Sequence, residues 1–252
     1  MKFKTDGLII KEQSIGEQDR LVTVLTSSKG IIRAFSKGAK NIKNQKCAST
    51  QLLCYSRMTL NKMRDSYIIG DAKSIEMFMG LRNNMDNMCL AQYFCELASA
   101  VCPREQNAEV CLKLMLNSLY LLSKEKKPPL LVKACFEMRM LALSGYMPDL
   151  TMCRECGVYE SPLMYFLPQK GFLVCGDCED TITEAVKIPM SKGVTTALRH
   201  TIYADDGRLF SFSLPEDDLK QLNTVTETYI FNMLERNFKT LQFYKTIANK
   251  QG

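Results

Sequence analysis

The chain has 252 residues, 46% apolar and 24% charged, a composition that suits a globular protein with room for one large or two smaller hydrophobic cores. No apolar run approaches a membrane span, and the first residues hold no apolar signal segment. The expectation is therefore a cytosolic protein with no membrane partner, whose eleven cysteines stay reduced. The net charge of +6 is unevenly placed: residues 1–80 hold 14 Lys/Arg against 7 Asp/Glu, and the remainder 19 against 20. From Arg20 to Arg64 there are ten basic residues and no acidic one. Such a single-sign stretch attracts polyanions, a nucleic-acid backbone above all; a solvated basic face is the plain alternative.

In chain order, residues 5–10, 20–26, 30–35, 52–60 and 66 onward read as strands, rich in β-branched and aromatic residues and separated by turn signals. Five short strands in about 80 residues suit a small closed barrel of the oligonucleotide-binding (OB) type. Beyond Gly80 the apolar period becomes helical. Helices are expected over residues 85–101, 107–123 with Asn107 at its start, and 130–144 before Gly145-Tyr-Met-Pro148. A further helix is expected over 191–203, then a strand-like stretch over 208–212. A long helix should start near Ser213, where Ser213-Leu-Pro-Glu216 fits a capping box. The fold class is thus α+β and multidomain. Residues 1–80 form a DNA-binding OB barrel, and residues 81–252 form an all-α domain with an insertion at about 150–180.

That insertion carries Cys153-Arg-Glu-Cys156-Gly157 and Cys175-Gly-Asp-Cys178. Two thiolates separated by two residues reach one ion from a tight turn, and a second such turn completes a tetrahedron, as in structural zinc sites. Each hook has a glycine, Gly157 and Gly176, that lets the backbone turn sharply. One zinc ion per chain held by Cys153, Cys156, Cys175 and Cys178 is the reading; core cysteines or two disulfides are the alternative. Four thiolates leave no open position for water, so the site is structural and not catalytic. The single histidine, His200, lies outside it and reads as an ordinary helix-face residue.

The order of short motifs along the chain resembles the RecO family of bacterial recombination mediators. These motifs are Thr5-Asp-Gly-Leu-Ile-Ile10, Gly16-Glu-Gln-Asp-Arg-Leu21, Lys29-Gly30, Lys37-Gly38-Ala39-Lys40, and Gly145-Tyr-Met-Pro-Asp-Leu150 leading into the two cysteine hooks. Tyr229 and Phe238-Lys-Thr-Leu-Gln-Phe243 are similar to the family's closing helix, with Thr240 where a serine is usual. The resemblance implies an OB barrel, a helical carboxyl-terminal domain and a four-cysteine zinc module. It also implies a cytoplasmic, nucleoid-associated, non-enzymatic role in recombinational DNA repair: binding single- and double-stranded DNA, annealing complementary strands, and acting with RecR and single-strand-binding protein to load RecA.

Charge and resemblance agree on a DNA face made by Lys29, Arg33, Lys37, Lys40, Lys43 and Lys46, with Arg20 and Arg57 in support. Phe35 and Tyr55 are expected in the barrel core, with base stacking as the alternative. Arg139 is a candidate anchor for the acidic tail of single-strand-binding protein. Two rival functions are a sequence-specific zinc-containing DNA-binding regulator, which would need an exposed reading helix, and a nuclease using Asp205-Asp206. The pair precedes Gly207 and reads as a turn, with no nucleophile–base pair or phosphate-cradling loop nearby.

Overall fold

A computed structural model of the chain describes residues 2–64, 66–183 and 186–248. The chain divides into two compact units, Met1–Lys124 with Phe238–Gly252, and Glu125–Asn237. In the first, β1 (Lys2–Ile15), β2 (Asp19–Thr26), β3 (Gly30–Ser36), β4 (Tyr55–Lys62) and β5 (Tyr67–Glu76) close a barrel in the order β1-β2-β3-β5-β4. The neighbours run antiparallel except β3 and β5, which close the ring through a short parallel contact, Ala34 to Tyr67 and Phe35 to Ile68. Alternation along each strand sends Val22 and Val24, Ile32 and Ala34, Met58 and Leu60, and Ile69 into one core. Each of the larger of these side chains contributes about 1.5–3 kcal/mol on leaving water.

Between β3 and β4 the chain makes a basic loop and a single helical turn, α1 (Lys46–Ser49). The Ser49 hydroxyl donates to the Ala72 carbonyl at 3.0 Å, and the Ser56 hydroxyl donates to the Ser49 carbonyl at 2.7 Å, so this turn is fastened to β5 and β4. The β2–β3 turn needs its glycine. Gly30 has φ +58°, and a β-carbon there would stand 2.1 Å from the Pro103 carbonyl oxygen, which accepts the Ile31 amide at 2.9 Å. After the barrel come α2 (Met85–Val101) and α3 (Glu109–Ser123). The Asn84 side chain caps α2 by accepting the Asn87 amide at 3.1 Å.

The second unit packs α4 (Pro129–Leu143) and a four-stranded sheet against two further helices. The sheet consists of β6 (Asp149–Cys153), β7 (Leu163–Leu167), β8 (Phe172–Cys175) and β9 (Ile188–Ser191), in the order β6-β8-β7-β9. The helices are α5 (Lys192–Tyr203), capped by the Ser191 hydroxyl on the Val194 amide, and α6 (Glu216–Leu234). The insertion is therefore a small sheet set within a helical carboxyl-terminal region. Where α4 meets α6, the buried Lys133 ammonium stands 2.9 Å from Glu137, 2.8 Å from Glu227 and 3.2 Å from the Asn223 side-chain oxygen, while the Thr226 hydroxyl donates to Glu137. Burial pushes the Glu137 carboxyl up, against the lowering pull of Lys133.

Two expectations fail here. Residues 208–212 form successive turns, with the Arg208 amide on the Asp205 carbonyl and Ser211 on Arg208, and not a strand. The capping box does not form: α6 begins at Glu216, after an extended Pro215, and no side chain accepts an amide of its first turn as a cap. Proline at that position pushes the residue before it out of helical geometry, and Glu216, Asp217 and Asp218 complement the helix dipole in its first turn.

The closing helix, α7 (Lys239–Ala248), returns to the first unit and packs on α2. Phe238 sets its ring edge-on to Tyr93 at 5.7 Å. Glu96 accepts both the amide and the hydroxyl of Thr240, at 3.1 and 2.5 Å. The hydroxyl at position 240 thus has a structural partner.

Candidate metal centre and nucleic-acid interface

The small sheet builds the cysteine cluster. β6 and β8 run parallel, so Cys153 and Cys175, each the last residue of its strand, arrive side by side. Cys156 follows on a tight turn that closes with Gly157 at φ +76°, whose amide donates to the Cys153 carbonyl at 3.0 Å. Cys178 sits in a 3-10 turn over Gly176–Thr181; Gly176 does not adopt the left-handed conformation, so its role differs from that of Gly157. The four sulfur atoms lie within 4.8 Å of one another, with Cys156 and Cys175 at 3.6 Å. A tetrahedral ion with metal–sulfur bonds of about 2.3 Å needs sulfur–sulfur edges of roughly 3.8 Å, so the donor set fits one metal ion. Among the described residues this is the one group of three or more His, Cys, Asp or Glu side chains placed to share an ion.

Backbone amides tune the sulfurs. Burial raises the Cys153 thiol, but the amides of Cys156, Cys175 and Glu155 outweigh it and bring it down to about 7; the Cys175 amide stands 3.3 Å from the sulfur. Hydrogen bonds from Cys175 and Cys156 push Cys178 up to about 12. Arg199, which the sequence reading did not single out, secures the module. Its guanidinium donates to the carbonyls of Leu150, Thr151 and Tyr159 at 2.7, 3.3 and 2.6 Å and lies 4.1 Å from the Tyr159 ring centroid. His200 takes no part in the cluster; its ring faces the Arg208 carbonyl and Phe212.

The basic residues of the barrel fall into distinct places. Arg33, Phe35 and Lys37 are exposed at alternate positions along and just past β3. Strand pairing sets Lys11, Thr23 and Arg33 in one row and Gln13, Leu21 and Phe35 in the next; Lys11, Gln13, Leu21, Thr23 and Arg33 line a shallow groove of about 220 Å³. Phe35 points outward, 37% exposed. Tyr55 is half-buried on the same outward parity of β4 as Arg57, so neither ring belongs to the barrel core. The loop after β3 continues the strip. Lys37, Lys40 and Lys43 are exposed, with the loop held by the Gly38 amide on Asp19 and the Lys40 amide on the Gln18 carbonyl, and Lys46 stands half-buried at its end. Arg33, Lys37, Lys40, Lys43 and Lys46 have no ion-pair partner among the described residues.

Other expected contacts stand apart. Lys29 sits half-buried at the opposite end of β3, about 23 Å from its far terminus at 3.3 Å per residue. Arg20 turns toward α1, donating to the Cys47 carbonyl at 2.7 Å. Arg57 is held bidentately by Asp6. Lys11 was missed because Glu12 follows it and cancels its charge in any linear count. Alternation puts the two on opposite faces, and Glu12 instead accepts the Leu52 amide at 3.0 Å.

In the second unit, Arg139 is half-buried. It donates to the carbonyls of Thr201 and Ala204 and stands 3.7 Å from Asp206, tying α4 to the end of α5. Asp205 and Asp206 lie at the turn that follows, and among the described residues they join no group of three or more acidic, His or Cys side chains placed to share an ion.

Both parts of the chain match family models: residues 1–78 match the recombination protein O amino-terminal domain and residues 82–242 the carboxyl-terminal domain. The DNA repair protein RecO of Acetivibrio thermocellus is 37% identical over 245 residues, covering 97% of each chain. The protein of the same name from Caldicellulosiruptor bescii is 30% identical over 245 residues, 97% of this chain and 98% of its own. That of Dehalococcoides mccartyi strain CBDB1 is 29% identical over 240 residues, 95% and 93%. With barrel, cysteine sheet and near-full-length likeness in agreement, the chain belongs to the RecO family of non-enzymatic recombination proteins.

Proposed function

We propose that this chain binds single- and double-stranded DNA on the outer face of β1, β2 and β3 and anneals complementary strands there. The observation that carries this reading is the strip of cations without ion-pair partners, Arg33, Lys37, Lys40 and Lys43, beside the outward Phe35. Phosphates neutralise such a strip and release counterions, while an exposed ring stacks on bases without reading their sequence. Annealing needs little more. A basic surface screens the repulsion between two strands, and base pairing supplies the driving force.

In this reading the four-cysteine cluster holds one zinc ion that fixes the ends of β6 and β8, and chemistry is left to partners. RecR and single-strand-binding protein are the partners that family membership supports, with RecA loading as the outcome, in the cytoplasm at the nucleoid. Residues 1–80 supply the DNA-binding domain, and residues 81–252 the helical domain with its zinc-bearing insertion. An annealing assay with complementary oligonucleotides, naked and coated by single-strand-binding protein, tests it. Accelerated annealing of both is expected. Affinity confined to one DNA sequence would favour a site-specific regulator instead.

A further inference from the structure

The basic loop between β3 and β4 carries an apolar side chain that water, not protein, surrounds. Ile42 is 92% exposed, more than any other large apolar residue among those described. A lone isoleucine on a mixed surface needs no explanation. This one has particular neighbours: Lys40 and Lys43 flank it in sequence, both exposed, and the strip of Arg33, Phe35 and Lys37 leads up to it.

The loop does not leave Ile42 free to fold back. Its start is anchored by the fully buried Ala39, by the Gly38 amide on the Asp19 carboxylate at 2.8 Å and by the Lys40 amide on the Gln18 carbonyl at 2.9 Å. An asparagine on either side of Ile42 then closes a turn. The Asn41 side-chain oxygen accepts the Lys43 amide and that of Asn44 accepts the Lys46 amide, both at 3.0 Å. Their backbone carbonyls accept the amides of Asn44 and Cys47, at 2.9 and 2.8 Å. A succession of hydrogen-bonded turns thus holds Ile42 at the surface. The side chain is stiff as well, because branching at the β-carbon restricts χ1.

We infer that Ile42 is a wedge, inserting between two adjacent bases of the bound strand and unstacking them while Lys40 and Lys43 hold nearby phosphates. The inference rests on the DNA-binding reading above and adds how the strand is held. Aliphatic side chains part base steps in this way without hydrogen bonds to the bases, so the action does not depend on sequence. Unstacking costs least where bases are already unpaired or mismatched. The wedge therefore favours single strands over duplex, and parted bases offer their pairing edges to a complement. A lipid surface fits less well. One isoleucine supplies little apolar area for a bilayer, and the cations run back along β3 as a strip that suits a polymer.

An oligoadenylate with a central 2-aminopurine tests this, because that base is dim when stacked and brightens when its neighbours part. At full occupancy the unaltered chain should brighten it, Ile42→Ser should lose most of the increase, and Ile42→Met should restore it. Ile42→Ser removes no charge, so its log K against log salt slope should match that of the unaltered chain; with the side chain already in water, the variant keeps the fold. Equal brightening by Ile42→Ser at full occupancy would overturn the wedge and leave the DNA-binding reading standing. Failure of the unaltered chain to bind DNA would overturn both. Binding to anionic phospholipid vesicles that Ile42→Ser loses, with brightening unchanged, would assign the loop to a lipid surface and overturn the wedge as well.

Discussion

Arg57 on β4 grips both carboxylate oxygens of Asp6 on the adjacent β1, at 2.8 and 2.9 Å. Directly opposed across the β1–β4 pair, the two cancel on the outer surface of that half of the barrel. The β1–β2–β3 half has no such compensation at Arg33, so unpaired charge, and not the count of basic residues, distinguishes the two faces. Arg57→Ala is accordingly expected to leave the salt dependence of DNA binding unchanged, measured as log K against log salt concentration. A slope flattened by about 0.7 on single strands would show that Arg57 contacts a phosphate.

Gly30 provides a test of the fold. Alanine there must adopt φ +58° and crowd the Pro103 carbonyl, so Gly30→Ala should lower stability by about 1–3 kcal/mol or more in denaturant unfolding. Gly16→Ala is the control. Its φ is +56°, but nothing lies within 4 Å of the new β-carbon, and a smaller loss is expected.

The buried Lys133 cluster has a pH signature. Lys133→Met leaves Glu137 without its charge partner, and breaking a buried pair in this way costs about 3–5 kcal/mol. Burial raises the native Glu137 pKa above its unfolded value, so the native state holds that proton more tightly. The stability this group contributes is present below the ordinary carboxylate pKa and falls as pH rises toward the raised native one. Removing Lys133 removes the lowering pull, so the variant's unfolding free energy should fall more steeply with pH than that of the unaltered chain. A pH-independent deficit would contradict this account of the cluster.

One metal ion per chain should be found in protein purified without chelator, and Cys153→Ser or Cys175→Ser should abolish it. Because bound thiolates are deprotonated, protons compete with the metal, and retention should fall as pH is lowered. Metal loss should destabilise the Glu125–Asn237 unit while leaving DNA affinity nearly intact. Elemental analysis and thermal unfolding of each variant decide it; DNA binding that collapses with the metal would contradict the separation.

Much of this was legible from periodicity. Met85–Val101 coincides with the expected helix because apolar residues at helical spacing and the Asn84 cap mark it locally. The cysteine hooks were legible for the same reason: ligand spacing is a local property. What depended on long-range pairing was not. Whether Phe35 faces in or out follows from the register that sets it against Leu21, and a strand of alternating type does not announce its parity. β9, four residues long, is a strand only because β7 is there to pair with it. Arg199 and Arg139 look alike in sequence to any solvated helix arginine; carbonyls from distant segments, Leu150 and Tyr159 for one and Thr201 and Ala204 for the other, give them their roles. The return of α7 to the first unit depends on Glu96 and Thr240, 144 residues apart.

The most direct measurement is the salt slope of the Lys37→Ala/Lys40→Ala/Lys43→Ala triple variant on single-stranded DNA. These lysines are exposed, so the fold and metal content should be unaffected. If each neutralises one phosphate, releasing about 0.7 counterion on a single strand, the log K against log salt line should flatten by about two units. The loss should be uniform over base sequence, because phosphate contacts position the strand without reading it, and annealing should fall in parallel. An unchanged slope in a folded, metal-loaded triple variant would place DNA elsewhere and contradict the account.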